Sequence, residues 1–439
     1  MISNEFISSK FGSREWVETW LTIANHDIEF RVASDGLNCQ FLLGIGDTRH
    51  IFHLSGRGLV ILGISQADDS WNFAIHAPVD TWKNLLHPFP PPGSQSLIAL
   101  RTTDATFRWE GDMLLAAQSL HALNRLVEIL REHNPVMGKA KKQDLMDTNA
   151  ELKHVARDPS LITGHYVDLK GYDEVAARIY YEESGHGLPL VLLHTACADS
   201  RQYHELLSDI ELASHWHMFA FDLPFHGRSI PPDGWWRSQY ILTAEVYANW
   251  CVSFIKNVVG KRPILLGCSM GALIAVYLAA QYSTEVRAVI GFEAPDSSPA
   301  RRSRFFCHPQ VNQAAHNPSY AYGLMSPLSP ELYRKRAWWY YSQSGYGVYG
   351  GDLHFYIDEW DGAKVASEID TSKCPVYLFS GEYDYSAPPR STSRLADRIS
   401  GAKFSLLEGL GHFPMIENPN LFRFHLLPVL EELKSTYST

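Results

Sequence analysis

The stretch that most constrains this chain is Gly267-Cys268-Ser269-Met270-Gly271, a G-x-S-x-G. Before it stands the apolar run Ile264-Leu265-Leu266, which suits a strand buried on both faces. After it, Ala272 to Tyr282 is an Ala- and Leu-rich run long enough for about three helical turns. A strand that turns sharply into a helix holds its middle residue in a strained conformation. The flanking positions must then be glycine, because a Cβ there would strike a neighbouring element. The turn would expose the Ser269 hydroxyl beyond the carboxyl end of a sheet. It would also put the Met270 N–H at a helix N-terminus, where an oxyanion is stabilised. Such a serine needs a base, an acid and a second oxyanion donor from elsewhere in the chain.

The length of 439 residues exceeds one ordinary core, so two domains are expected. The net charge of −10 and the lack of a basic stripe argue against a nucleic-acid partner. No run of about 18 apolar residues predicts a membrane span. The N-terminal residues lack the basic and apolar segments of a signal peptide. The six cysteines form no C-x-x-C, so neither a zinc site nor a disulfide framework is implied. The expected compartment is the cytoplasm.

The first domain is expected over residues 1–135. Ser13 is placed to cap a helix bearing Trp16, Val17, Trp20 and Leu21. Alternating segments follow: Ile28-Phe30-Val32, Cys39-Phe41-Leu43, Ile51 with Leu54, Leu59 to Leu62, and Trp71-Phe73-Ile75. Joined by glycine turns, they predict an antiparallel sheet. Asp80 is expected to cap a short helix, and Gly111-Asp112 to open a long one with the stripe Ala116, Leu120, Leu123, Val127 and Leu130. The class is α+β. Ala77-Pro78 followed by Trp82, the Pro-rich break at 88–92 and Glu110-Gly111-Asp112 before the last helix resemble the sterol-carrier-protein-like fold. That resemblance implies an apolar tunnel or docking surface. The domain would gather hydrophobic substrate or form a homodimer contact; its aromatics also suit plain core packing. Residues 136–164 read as a linker.

The second domain, 165–439, alternates strands and helices. Val175 to Tyr181 suggests an early antiparallel strand. Leu190 to Leu193, Met218 to Phe221, Ile264 to Leu266, Val286 to Phe292, Val376 to Phe379 and Phe404 to Leu407 suggest a mostly parallel sheet. Its loops belong at the strand carboxyl ends. Asp384 follows one such strand and His412, after Gly411, follows the last. The order Ser269…Asp384…His412, the Asp222-x-x-x-His226-Gly227-x-Ser229 loop, the elbow and the Gly-His turn together resemble the α/β-hydrolase fold superfamily. The whole chain is thus expected to be an α/β-hydrolase core with a helical lid, preceded by a smaller α+β domain.

The resemblance implies roles. His412 would take the Ser269 proton, since imidazole titrates near working pH. Asp384 would orient the ring. Glu293, ending the strand after the nucleophile helix, is the alternative acid, at a position some members use; otherwise it braces the lid. The oxyanion would be held by the N–H groups of Met270 and Ala196. The superfamily usually has His-Gly where this chain has His194-Thr195, so Thr195 departs from the pattern and its hydroxyl becomes available to the site. A lid is expected at about 297–362, rich in aromatics that include Trp338-Trp339-Tyr340-Tyr341. Thr195, Trp338, Trp339 and Tyr340 are read as substrate contacts. The partner is then a small apolar or aromatic molecule. The expected reaction is hydrolysis of an ester or lactone through an acyl-enzyme, with no metal or cofactor. Hydrolysis of a carbon–carbon bond in a diketone or ring-cleavage product is the alternative, because the same triad serves both. A non-catalytic hydrophobic-ligand-binding protein is the rival of another class. Whether Ser269→Ala abolishes turnover or leaves only binding separates this rival from the hydrolases.

Overall fold

Why the chain forms two kinds of sheet is visible in its strand burial. The structure is a computed structural model and describes residues 10–62, 70–133, 155–297 and 303–437. Most of the linker, 136–154, therefore lies outside the described residues. The described chain divides into two units. One takes in the N-terminal part together with His308–Gly323, and the other the remainder.

In the first unit, Ser13 caps the Arg14–His26 helix, its Oγ accepting from the Trp16 N–H at 3.3 Å. Trp16, Val17, Trp20 and Leu21 are all buried. The sheet has the order β3-β2-β1-β4-β5, with β1 Asp35–Ile45, β2 Thr48–Arg57, β3 Val60–Leu62, β4 Phe73–Ala77 and β5 Arg108–Gly111. Its inner face stacks Phe52, Phe41 and Phe73 in a row, with ring centroids 4.9 and 5.3 Å apart. Asp112 caps the next helix by accepting from the Leu114 and Leu115 N–H groups. The expected stripe from Ala116 to Leu130 is buried, on two consecutive helices, Met113–Gln118 and Leu120–His133.

Three expectations fail here. Ile28–Ser34 is a helix, not a strand, capped by Asp27 accepting from the Phe30 N–H at 2.6 Å. Residues i and i+4 share a face in both a helix and a strand, so the middle residue decides. Phe30 is buried while Ile28 and Val32 are exposed, which is the helical arrangement. The sheet is not wholly antiparallel, because β4 returns beside β1 in parallel. Asp80 does not cap its helix; Pro78 stands at the cap, and Asp80 lies in the first turn, where its charge suits the helix dipole.

His308–Gly323 belongs to this unit through backbone carbonyls. Gln118 Nε2 donates to Gln310 O at 2.6 Å, Asn124 Nδ2 to Ser319 O at 2.9 Å and Ser96 Oγ to Gly323 O at 3.0 Å. Part of the lid insertion is thus built into the N-terminal unit.

The second unit holds an eight-stranded sheet in the order β13-β12-β11-β10-β8-β9-β7-β6. The strands are β6 Thr163–Lys170, β7 Ala176–Ser184, β8 Leu188–Leu193, β9 Trp216–Phe221, β10 Ile264–Cys268, β11 Ala288–Phe292, β12 Val376–Gly381 and β13 Lys403–Leu407. All pairs from β13 to β9 are parallel; β7 is antiparallel to both β9 and β6. The central strands β10 and β11 are buried throughout, as their continuous apolar runs require. The Met270–Gln281 helix is apolar all round, which fits an element buried on every side. β6 escapes the sequence reading because it is an edge strand with only Leu169 buried. Among the described residues no helix is long and apolar enough to cross a membrane.

Candidate active site

Strand β10 runs into the Met270–Gln281 helix through one residue, Ser269, at φ 53° and ψ −119°. Its N–H donates to Phe292 O on β11 at 2.8 Å, and its own carbonyl accepts from Ala272 and Leu273. The turn closes only around glycines. A Cβ on Gly267 would lie 2.1 Å from Gly271 O, and one on Gly271 would lie 2.2 Å from Leu193 O. Met270 opens the helix, where first-turn amides have no intrahelical acceptor.

His412 reaches this serine from the turn after β13. Its Nε2 lies 2.9 Å from Ser269 Oγ and its Nδ1 2.6 Å from Asp384 Oδ2. The ring is fully buried, and the Phe413 ring stands edge-on at 4.7 Å. The His412 N–H donates to Leu324 O, and its carbonyl lies 3.2 Å from Cys268 Sγ. Glu417 accepts from the Gly411 and Ser326 N–H groups, which ties the histidine turn down from its other side.

Asp384 sits in the turn after β12. Its Oδ1 accepts from the Ser386 and Ala387 N–H groups at 2.7 and 3.1 Å, leaving Oδ2 for His412. Burial raises the affinity of this carboxyl for a proton. The His412 charge and hydrogen bond, with donors from Glu293 and Ala387, outweigh burial and hold it below the ordinary carboxylate range.

Glu293 immediately follows β11, at φ 56°, an uncommon conformation for a side chain of this size. Its Oε1 accepts from the Gly381 N–H at 2.8 Å and its Oε2 from Ser380 Oγ at 3.0 Å. It is also hydrogen-bonded to Asp384. Burial, then the charge and hydrogen bond of Asp384, push its carboxyl well above the ordinary range. Ligand atoms of Glu293, Asp384 and His412 lie within 4.8 Å of one another. Two carboxyls this close and this buried share one proton more readily than they carry two charges. The imidazole is bonded to Asp384, so the same atoms read as a proton-sharing array rather than as a vacant metal cage.

His194, after β8, is neutral and fixed. Its Nε2 accepts from the Leu223 N–H at 3.2 Å, so Nδ1 carries the proton and donates to Thr195 O at 2.9 Å. Burial, then the nearby His226, drive its pKa down to about 4. The Thr195 hydroxyl bonds to Gln202 and to Tyr341 of the lid. Ala196 is buried in the same loop. Asp222 ties the next loop by accepting from the Ser200 and Arg228 N–H groups.

Trp338, Trp339 and Tyr340 lie on the helix Glu331–Tyr341, whose buried residues are Ala337 and Tyr341. Trp339 is exposed, and Tyr340 lies under the Arg201 guanidinium, 5.3 Å from its ring. The residue of this helix brought to the site is Tyr341, whose ring is 5.1 Å from Phe413. Its spacing of four from the small Ala337 is the signal that could have singled it out of the aromatic run. Asp352 and Gln202 were also missed, and no motif marks them. Several lid aromatics serve the lid itself, as in the Phe306–Tyr349 contact at 4.5 Å.

The model of the Alpha/beta hydrolase family matches residues 190–423. With the strand order and the elbow in place, the chain belongs to that family. Among curated proteins it is similar to zearalenone hydrolase of Cladophialophora bantiana, 28% identical over 122 residues, 27% of this chain and 44% of that protein. The match therefore spans less than half of that relative's length. It is also similar to pimeloyl-[acyl-carrier protein] methyl ester esterase of Neisseria meningitidis serogroup B, 24% identical over 53% of this chain and 88% of that one. Among solved structures, a thermophilic esterase from Thermogutta terrifontis superposes with a TM-score of 0.53 at 17% identity, covering 62% of this chain and 99% of that one. The enol-lactonase from Burkholderia xenovorans LB400 gives 0.50 at 19% identity, covering 58% and 97%. At these identities the structures speak for the fold.

Proposed function

We propose that the second unit is a serine hydrolase that cleaves an ester or lactone of a bulky apolar or aromatic substrate through an acyl-enzyme. The observation that carries the reading is the unbroken chain from Ser269 Oγ through His412 to Asp384 Oδ2, at 2.9 and 2.6 Å, on a strained elbow. In this reading Ser269 attacks the carbonyl carbon while His412 Nε2 takes its proton. Asp384 remains ionised and stabilises the imidazolium. The oxyanion is held by the N–H groups of Met270 and Ala196. The intermediate collapses, the leaving group takes the proton from His412, and water activated by the same nitrogen releases the acid. Asp384 is the triad acid, and Glu293, carrying the shared proton, donates to it from behind. The scheme needs no cofactor.

The two curated relatives are named as a hydrolase and an esterase, which supports ester chemistry. The aromatic surroundings of His412, Phe413 with Tyr341 behind it, support an apolar substrate. The test is intact mass after a fluorophosphonate. One adduct is expected on the wild type and none on Ser269→Ala, whose kcat/KM on aryl esters falls by at least about 10⁴-fold. A wild type that stays unmodified while folded overturns the reading.

A further inference from the structure

The oxyanion loop is held on both sides by the lid. Thr195 precedes Ala196, and its hydroxyl bonds to the Tyr341 hydroxyl and to Gln202, whose Oε1 also accepts the Thr195 N–H at 3.0 Å. Cys197 follows Ala196 at φ 66°, and its N–H donates to Asp352 Oδ2 at 2.7 Å. Asp352 is the penultimate residue of the short helix Val348–Leu353 and is fully buried. The same Oδ2 lies 2.9 Å from His226 Nε2, and Oδ1 accepts from Tyr240 Oη at 2.8 Å. A buried carboxylate is stable only with such partners, so its position is fixed by the core beneath it.

The consequence for the Ala196 N–H follows from peptide geometry. The Thr195 carbonyl accepts from His194 Nδ1 at 2.9 Å and from the Ala198 N–H at 3.2 Å. In a trans peptide the carbonyl and the following N–H point in opposite directions. Pinning the carbonyl therefore aims the Ala196 N–H to the other side of the plane. Tyr341 fixes the residue before this peptide and Asp352 the residue after. Cys197 could otherwise relax out of its left-handed conformation and carry Ala196 with it.

We propose that Tyr341 and Asp352 are positioning residues for the oxyanion hole: the lid orients the donor as well as covering the site. This deepens the hydrolase reading and rests on it. A lid displaced from the core would release both anchors, so the hole would be complete only with the lid seated. The substitution of Thr195 for the usual glycine then has a use, since glycine offers Tyr341 no hydroxyl to hold.

The test compares 4-nitrophenyl acetate with its thiono counterpart. Sulfur accepts hydrogen bonds poorly, so a well-aimed donor favours the oxygen ester and a loosened one loses that preference. Tyr341→Phe should lower kcat on the ester by about 10-fold with KM within twofold. That is less than the 10²–10³-fold for deleting a donor outright. The ester-to-thionoester ratio should shrink by a similar factor. Thr195→Val should do the same and Thr195→Ser should not, while Tyr341→Phe with Thr195→Val should be no worse than either. Asp352→Asn should have the larger effect; if it fails to fold, the Tyr341 and Thr195 variants carry the test alone. Equal losses on both substrates, or kcat within twofold of wild type, would overturn the inference while leaving the hydrolase reading intact. A wild type inert to fluorophosphonate and ester alike would sink both.

Discussion

The two units treat left-handed backbone differently. In the N-terminal unit every described residue with positive φ is a glycine, from Gly12 to Gly111. In the second unit the carboxyl ends of four neighbouring strands, β8 to β11, carry Cys197, Phe225, Ser269 and Glu293 in that region instead. Among the described residues only Asp173 and Glu174, in a turn before β7, share the feature elsewhere. A side chain held at positive φ costs about 1–3 kcal/mol and persists where the surroundings over-determine it. Such strain gathers at sites that need a group in one exact place. The N-terminal unit shows no such gathering, and its most buried charge is already satisfied: Arg125 pairs with Asp27, Glu29, Glu128 and Glu132 at 2.7 to 3.5 Å. One unit uses buried polarity to hold itself together; the other aims it at a serine.

The largest expected effect that would sharpen this contrast is at Asp384. Asp384→Asn should lower kcat/KM by about 10³–10⁴-fold, because an amide at Oδ2 favours the wrong tautomer of His412. Stability should change far less than activity. A loss under tenfold in a folded variant would mean that Glu293 takes over, and the assignment of the two acids would have to be exchanged.

Arg125→Ala is the counterpart in the other unit. It leaves four carboxylates around an unfilled, largely buried position. The expected loss is about 3 kcal/mol of stability, the low end for breaking a buried pair because Glu29 and Glu132 are partly exposed. Urea titration of the full chain reads it. No loss would mean that the network is ornamental and that the two units differ less than their geometry suggests.

The strain itself can be tested by two substitutions of opposite sign. Gly36 stands at φ +77° with open space around it, so Gly36→Ala adds only backbone strain, about 1 kcal/mol destabilising. Ser269→Gly relieves strain at φ 53° and should stabilise by a similar amount while removing the hydroxyl proposed as the nucleophile. Melting temperatures that move the same way in both variants would break the argument that the elbow stores strain.

How far the sequence reaches follows the same division. The elbow, the acid turn and the histidine turn were legible because local glycines and strand ends dictate them; Gly267, Gly271 and Gly411 tolerate no Cβ in this fold. The edge strand β6 and the helix at Ile28 were not, since exposed residues leave a weak period. Pairings set by distant chain were not legible either. Asp352 meets His226 across 126 residues, and no spacing announces it. Nothing in Gln118 or Asn124 marks them as the donors that hold 308–323 in the N-terminal unit. Glu293 was legible as a rival acid, but only the fold shows the two acids side by side.

The smallest effect tests that arrangement. Glu293→Gln keeps an oxygen for the Gly381 N–H and offers an N–H toward Asp384, so activity should stay within about threefold. Its signature lies in the pH dependence of stability. A carboxyl raised by folding keeps its proton in the native state after the unfolded chain has lost it, at about pH 4.3. Stability from that proton is present below this pH and is lost as pH rises toward the native value. Asp384 runs the other way: its contribution is present above about pH 3.9 and fades as pH falls toward its depressed native value. Between pH 5 and 8 Glu293 contributes a descending slope, as do Asp222 and Glu417, which burial first of all lifts to about 7 and about 8. His226, raised by Asp352 against the effect of burial, adds to that slope, and His194, His316 and His425, lowered first of all by burial, slope the other way. All of these other groups remain in the variant. The fall in melting temperature from pH 5 to 8 should be smaller in Glu293→Gln than in the wild type. Parallel curves would mean that Glu293 is ionised in the fold, which would make it a competitor of Asp384 for His412 rather than its support.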